Sequence, residues 1–252
     1  MKEQSDDRER EFKFEYGGDP AVLVEGLRSV ALGRPLITFP PRAVMDLYFD
    51  NGDRDLLATG STLRLRKRRI NPGWTLNFKA PPLTDEAEFL DRREVITRVK
   101  VDEALGYRDR RIPGLAWDCA LAFARAHAFD EVLRPAVHLV TWRTGWTIRP
   151  GDLGNRQSNY LCLFHDQVTA YDITGQRPEL IIRYGALDYS SAVPGSASFA
   201  GYEIESSGRL ENEEAEAVRA LRTVARRLTA EPGVRPVTYN KYQRAAELLG
   251  TG

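Results

Sequence analysis

The chain has 252 residues, enough for one large β-rich domain or two small ones, and its 42% hydrophobic and 29% charged residues are those of a water-soluble globular protein. Lysine plus arginine and aspartate plus glutamate each number 36, so no basic surplus supports nonspecific nucleic-acid binding. No apolar run reaches the ~20 residues of a membrane helix. The polar start MKEQSDDRER is no signal peptide, and two distant cysteines, Cys119 and Cys162, argue against a disulfide framework or zinc knuckle and for a reducing cytoplasm.

The first predicted element is a strand, EREFKFEY. Read at period two, Phe12, Phe14 and Tyr16 form an apolar face, while Glu9, Glu11, Lys13 and Glu15 form a face carrying both signs of charge. Residues Gly18–Gly33 predict a helix, with Asp19 as its cap, Pro20 in its first turn and Gly33 at its end. Strands are then expected at Ala43–Asp50, Ser61–Ile70, Trp74–Lys79 and Glu86–Arg98, the first two joined by the turn-rich Asn51–Asp55. A helix is expected over Leu115–Phe129, then strands at Val137–Ile148, Tyr160–Asp172, Glu179–Tyr189 and Phe199–Ser206. Glu211–Leu228 predicts a helix with acids at its start and arginines at its end, as the helix dipole favours, and YNKYQRAAELLG a final short one. Tyr189–Ser198 is the most loop-like stretch. With no fixed repeat and no clean linker, residues 1–252 read as a single α+β domain around an antiparallel sheet.

Several strands repeat the charged face of the first. Arg64, Arg66 and Arg68 alternate with Leu63, Leu65 and Lys67; Thr75, Asn77 and Lys79 oppose Trp74, Leu76 and Phe78; Arg92 and Glu94 share a side. Arg143, Asp166, and Glu203 with Glu205 add to the set. One such strand alone reads as an ordinary solvated face. Carboxylate-rich and arginine-rich strands in one sheet suit a barrel with a wet, charged interior. There, arginines and lysines would meet phosphate oxygens and clustered carboxylates would hold a hard cation such as Mg²⁺ or Mn²⁺. His127, His138 and His165 lack metal-ligand spacing, and no HExxH, G-x-S-x-G or P-loop sequence occurs. Cys119 reads as core.

In family order, EREFKF carries E-x-E-x-K (Glu9, Glu11, Lys13), DLYFD a Y-F-D segment, then LRLR, TLNFKAP for T-L-K-x-P, RRE for R-x-E, YEIE for E-x-E and NKYQRA for S-K-Y-x-R-A. Running from Glu9 to Ala245, this series resembles the CYTH domain of the triphosphate tunnel metalloenzymes. The resemblance implies an eight-stranded antiparallel β-tunnel, a closed barrel with a charged interior flanked by helices. It implies metal residues Glu9, Glu11, Asp166, Glu203 and Glu205, and phosphate-binding residues Lys13, Arg64, Arg66, Lys79, Arg143 and Lys241. Lys13, Lys79 and Glu94 would serve catalysis. Asn240 stands where the family has serine. The stretch between Asp166 and Glu203 is longer than the family's turn: either Asp172 takes the role of Asp166, or a hairpin is inserted within 167–200.

The expected activity is Mg²⁺- or Mn²⁺-dependent hydrolysis of a triphosphate, inorganic tripolyphosphate first, by a cytoplasmic monomer or homodimer with no nucleic-acid or membrane partner. Thiamine or nucleoside triphosphate hydrolysis, cyclisation of ATP and polyphosphate polymerisation are sibling chemistries. A noncatalytic polyphosphate-binding module would keep the arginines but would not need the carboxylates.

Overall fold

The computed structural model describes residues 4–30, 35–68, 73–83, 90–148, 160–174, 177–184, 195–207 and 211–251. In chain order they form β1 (Gln4–Glu15), α1 (Pro20–Val30), β2 (Leu36–Asp50), α2 (Asp55–Ala58), β3 (Thr62–Arg68), β4 (Trp74–Lys79), β5 (Leu90–Val99) and α3 (Val101–Ala104). There follow α4 (Leu115–Ala126), β6 (Arg134–Ile148), β7 (Tyr160–Asp172), α5 (Pro178–Tyr184), β8 (Ser196–Ser207), α6 (Glu211–Thr229), β9 (Arg235–Pro236) and α7 (Lys241–Leu249).

Eight antiparallel strands run in the order β5-β4-β3-β2-β6-β7-β8-β1, and β1 pairs back onto β5, so the sheet closes into a barrel. The first strand makes both joints: Gln4–Glu11 pair with β5, and Arg10–Phe14 with β8. The two-residue β9 adds to the end of β1. Among the described residues no helix is long and apolar enough to cross a membrane.

The apolar faces of the strands point outward, under helices. Phe12, Phe14 and Ile204 are buried with Leu23 and Leu27 of α1 and Leu221, Val224 and Leu228 of α6. On the other side Leu63, Leu65, Leu76, Phe78 and Val95 pack with Ala116, Trp117 and Ala120 of α4 and Ile181 and Ile182 of α5. The last helix closes one end of the interior: Tyr242, Ala245 and Ala246 pack with Tyr48, Val137, Leu139 and Ala170, and the Tyr48 and Tyr242 rings stack at 5.0 Å. The Asp50 carboxylate ties this end together. It accepts from the backbone N–H of Leu56 (3.0 Å) and Leu57 (2.9 Å) at the start of α2 and from the Tyr242 hydroxyl (3.0 Å).

Trp74–Lys79 and Tyr160–Asp172 form the strands expected of them, and Asp19 caps α1 through the Ala21 N–H at 2.9 Å. Residues 31–33, 69–70, 86–89 and 185–194 of the expected elements lie outside the described residues. Three readings change. The strand expected at Ala43–Asp50 starts at Leu36 and runs through Pro40 and Pro41 with a register slip. Short helices α2 and α3 follow β2 and β5. The strand expected at Glu179–Tyr189 is, in its described part, helix α5. Ile181 and Ile182 are both fully buried in one cluster. Adjacent residues of a strand point to opposite faces, whereas neighbours on a helix share a stripe. Pro178 suits a first helical turn, and the Ile182 carbonyl accepts from Trp74 Nε1 at 3.1 Å.

His138 is fully buried on β6, opposite Leu47 on one side and Tyr171 on the other. Burial pushes its imidazole down to about 4, against the opposing pull of Asp46. The unfolded chain therefore takes up this proton first as pH falls. The stability linked to neutral His138 is fully present above about 6.5 and is lost between there and about 4, roughly 3 kcal/mol in all. His138→Gln is expected to flatten the acid limb of urea-unfolding stability over that window. An acid limb as steep as that of the unmutated protein contradicts this.

Candidate functional site

The inward faces of the barrel enclose a cavity of about 180 Å³. Its lining carries eight cationic side chains (Lys13, Arg42, Arg64, Arg66, Lys79, Arg92, Arg143, Lys241) against five carboxylates (Glu9, Glu11, Glu94, Glu203, Glu205), an excess of three positive charges. Alternation on β1, β3, β4, β5, β6 and β8 delivers most of them. Lys241 arrives differently, as the first residue of α7, whose N-terminus opens on the cavity. Asn240 caps that helix: its Oδ1 accepts from Gln243 N–H at 2.9 Å and its Nδ2 donates to the Gly60 carbonyl at 3.2 Å. Asparagine and serine are both favoured at such a cap, so Asn240 suits this position.

Ion pairs within and between neighbouring elements organise the charges. Glu9 accepts from Lys79 and from Arg92 Nε at 3.0 Å; Glu11 accepts from Arg92 and from Lys13 Nζ at 2.6 Å. Glu203 accepts from Lys241 Nζ at 2.8 Å and Arg143 Nη2 at 3.5 Å. Glu94 accepts from Asn77 at 3.1 Å and lies 3.6 Å from Lys79 Nζ. Two further aspartates stand behind the cavity wall. Asp46 grips Arg66 through two bonds of 2.7 Å, and Asp166 grips Arg143 through two bonds of 2.7 Å and meets Lys241 at 3.0 Å. Each pair is a bidentate fork, so the orientation of the guanidinium is fixed from behind.

Electrostatics follow from this packing. Burial would raise the Glu9 carboxyl, but Lys79, Arg92 and Lys13 hold it below the usual range; Lys241 and Arg143 do the same for Glu203. Burial, reinforced by Arg92 and Lys241, brings the Lys13 ammonium down to about 8 despite Glu11. Glu205 goes the other way. Burial and the neighbouring carboxylates Glu203, Glu9 and Glu11 push it up to about 7. Among the described residues, Glu205 is the lining carboxylate with no ion pair.

Every residue expected at the site lines the cavity except Asp166, which lies behind Arg143. Asp172 ends β7 and accepts from the Thr174 N–H at 2.9 Å, away from the cavity. His165, on the other face of β7 from Asp166, stacks on Tyr202 at 4.5 Å. Sequence reading assigned no role to Arg92, Asp46 or Arg42. Alternation with Glu94 was a signal for Arg92, and alternation with Tyr48 in DLYFD for Asp46. Arg42 gave none, because its strand was expected to begin after it.

Among the described residues no three histidine, cysteine, aspartate or glutamate side chains stand together closely enough to hold a metal ion. The donor chemistry nonetheless fits one. Glu9, Glu11, Glu203 and Glu205 offer oxygen only, as Mg²⁺ and Mn²⁺ prefer, and among the described residues Glu205 has no cation paired to it.

The CYTH domain profile matches residues 8–233. This chain belongs to the CYTH domain family. Among solved structures, this CYTH protein superposes on a candidate adenylate cyclase from Bacillus halodurans, with a TM-score of 0.53 and 18% identity over 95% of this chain and 97% of the other. At that identity the likeness establishes the fold. HpAC1 from Hippeastrum, a candidate adenylyl cyclase with a dominant triphosphatase activity, gives 0.48 at 16% identity over 96% and 98%. The mimivirus capping enzyme triphosphatase gives 0.38 at 7% over 87% and 90%. These two superpose too loosely to bear on function. Among curated proteins, none matches the sequence of this CYTH chain.

Proposed function

We propose that this CYTH protein hydrolyses a triphosphate in a divalent-metal-dependent reaction, with inorganic tripolyphosphate as first substrate. The observation that carries the reading is the cavity itself: eight cations interleaved with five carboxylates inside a closed barrel. A polyanion needs the cations, and a binding module would not need so many carboxylates among them. Inorganic tripolyphosphate comes first because Tyr48 and Ile96 are the cavity's sole aromatic and aliphatic linings among the described residues, and the nearby Phe39 and Phe164 rings lie against the Arg42 and Arg143 guanidiniums, which leaves too little to seat a base. A small triphosphate or polyphosphate would be the partner of a cytoplasmic monomer or homodimer.

Arg64, Arg66, Lys79, Arg143 and Lys241 bind phosphate oxygens in this account, and stabilise charge on the phosphoryl group as it transfers. Asp46 and Asp166 hold two of these guanidiniums in their forks, which gives Asp166 a positioning role instead of a place in the metal set. When bound, Mg²⁺ or Mn²⁺ held by Glu9, Glu11, Glu203 and Glu205 would neutralise the chain and polarise the phosphorus under attack. Lys13, next to Glu11, contributes a further phosphate contact. Glu94, bridged to Lys79 and Asn77, offers a carboxylate to orient water. Closure of the barrel around the site keeps bulk water from competing with these contacts.

Tripolyphosphate, thiamine triphosphate and ATP, each with Mg²⁺, Mn²⁺ or EDTA and with every product resolved, test the proposal. The expected result is orthophosphate and pyrophosphate from tripolyphosphate, with metal only. Tight binding without turnover under either metal leaves a phosphate-polymer binding module in place of an enzyme.

A further inference from the structure

Phe39 and Arg42 are three residues apart, a spacing that sends side chains to opposite faces of a regular strand. Here the register slips between them: Phe39 pairs with Gly145 and Arg42 with Arg143, positions only two apart on β6. The extra residue forms a bulge at Pro40 and Pro41, where a missing N–H costs the ladder least. Both side chains consequently face inward. Gly145 makes the room, since a Cβ there would come within 2.8 Å of the Phe164 ring and 3.3 Å of the Phe39 ring. The Arg42 guanidinium carbon stands 5.9 Å from the centroid of each of these rings, and its side chain lines the cavity.

Every other cation of the lining is tied to a carboxylate. Among the described residues Arg42 makes no ion pair, and it lies directly across the ladder from Arg143. Like charges opposed across a ladder repel. Burial and Arg143 accordingly lower the Arg42 guanidinium from its usual value. A bound anion relieves both costs. Along β2 the inward positions run Tyr48, Asp46, Val44, Arg42, which puts Arg42 roughly 20 Å along the strand from the Tyr48 contact with α7.

We propose that Arg42 binds phosphate oxygens of the substrate at the end of the cavity remote from α7, with Phe39 and Phe164 as the platform that holds its guanidinium in place. The assignment rests on the triphosphate reading above. Because Arg42 makes no ion pair, its removal breaks none, and Glu205 and Asp166, whose charges also act on it, keep Arg143 beside them, so Arg42 can be tested without loss of fold.

Steady-state kinetics on tripolyphosphate with Mg²⁺ compare the unmutated protein with Arg42→Gln and Arg42→Lys. Arg42→Gln is expected to raise KM by about tenfold or more with kcat changed little, the pattern of lost ground-state binding. Its melting temperature should stay at the starting value. Arg42→Lys should recover part of the KM, since it keeps the charge but not the fork. An unchanged KM, or a loss of activity accounted for by a lowered melting temperature, overturns the assignment. If the unmutated protein binds tripolyphosphate without turnover, the comparison is read in Kd with the same two outcomes. An unmutated protein that binds no tripolyphosphate defeats the triphosphate reading and Arg42 with it.

Discussion

Glu9→Gln/Glu11→Gln is expected to lower the proposed metal-dependent phosphate release by about 1,000-fold or more, the several kcal/mol that a phosphoryl-polarising cation supplies. Its affinity for tripolyphosphate in EDTA moves the opposite way. Both glutamates line a cavity that already holds three more cations than carboxylates, and both are paired to Lys79, Arg92 or Lys13. Neutralising them frees those cations for phosphate, so metal-free binding tightens while turnover collapses. Calorimetry in EDTA and phosphate release with Mg²⁺ read the two halves separately. A variant that keeps turnover has no carboxylate-held metal at this position. A variant that loses metal-free binding has been damaged in fold.

Arg143→Met is the second large effect, and it strikes stability and activity together. The guanidinium makes two 2.7 Å bonds to Asp166, reaches Glu203 at 3.5 Å, and lies 4.3 Å from the centroid of the Phe164 ring. Asp166 is only 2% exposed, so removing Arg143 leaves it and Glu203 to share Lys241. Breaking one side of a buried pair costs about 3–5 kcal/mol, because a charge is left uncompensated. Urea unfolding measures that loss. Arg143→Met/Asp166→Asn is expected to regain much of the stability, since the stranded charge is gone, but none of the turnover on tripolyphosphate. Recovery of both would reduce Arg143 to a structural ion pair.

The barrel's charged interior was legible at β1 because period-two alternation is local: Phe12 and Phe14 went to the helix-covered side, and Glu9, Glu11 and Lys13 to the cavity. The order of motifs along the chain then supplied the closed eight-stranded architecture. What could not be read was pairing. Glu9 meets Lys79 and Arg92 across separations of 70 and 83 residues, set by the register of β1 on β5 and of β5 on β4. Asp166 is expected in the metal set, but its place behind Arg143 depends on which strand neighbours β7. Prolines misled at Pro40 and Pro41, where a pair of strand breakers forms a bulge within one long strand. Residues 179–184 misled through composition: a short apolar run bounded by turn signals suits a buried strand or a buried helix equally, and Ile181 and Ile182 sharing one core decide for the helix.

The central claim is that water attacks phosphorus inside this cavity with a divalent cation present. Tripolyphosphate incubated with the protein in ¹⁸O-labelled water, with Mg²⁺ or with EDTA, and followed by ³¹P NMR, tests it most directly. The account predicts one labelled oxygen per cleaved chain, carried by orthophosphate or pyrophosphate, in the Mg²⁺ sample alone. Cleavage at the same rate in EDTA, or intact tripolyphosphate in both, contradicts it.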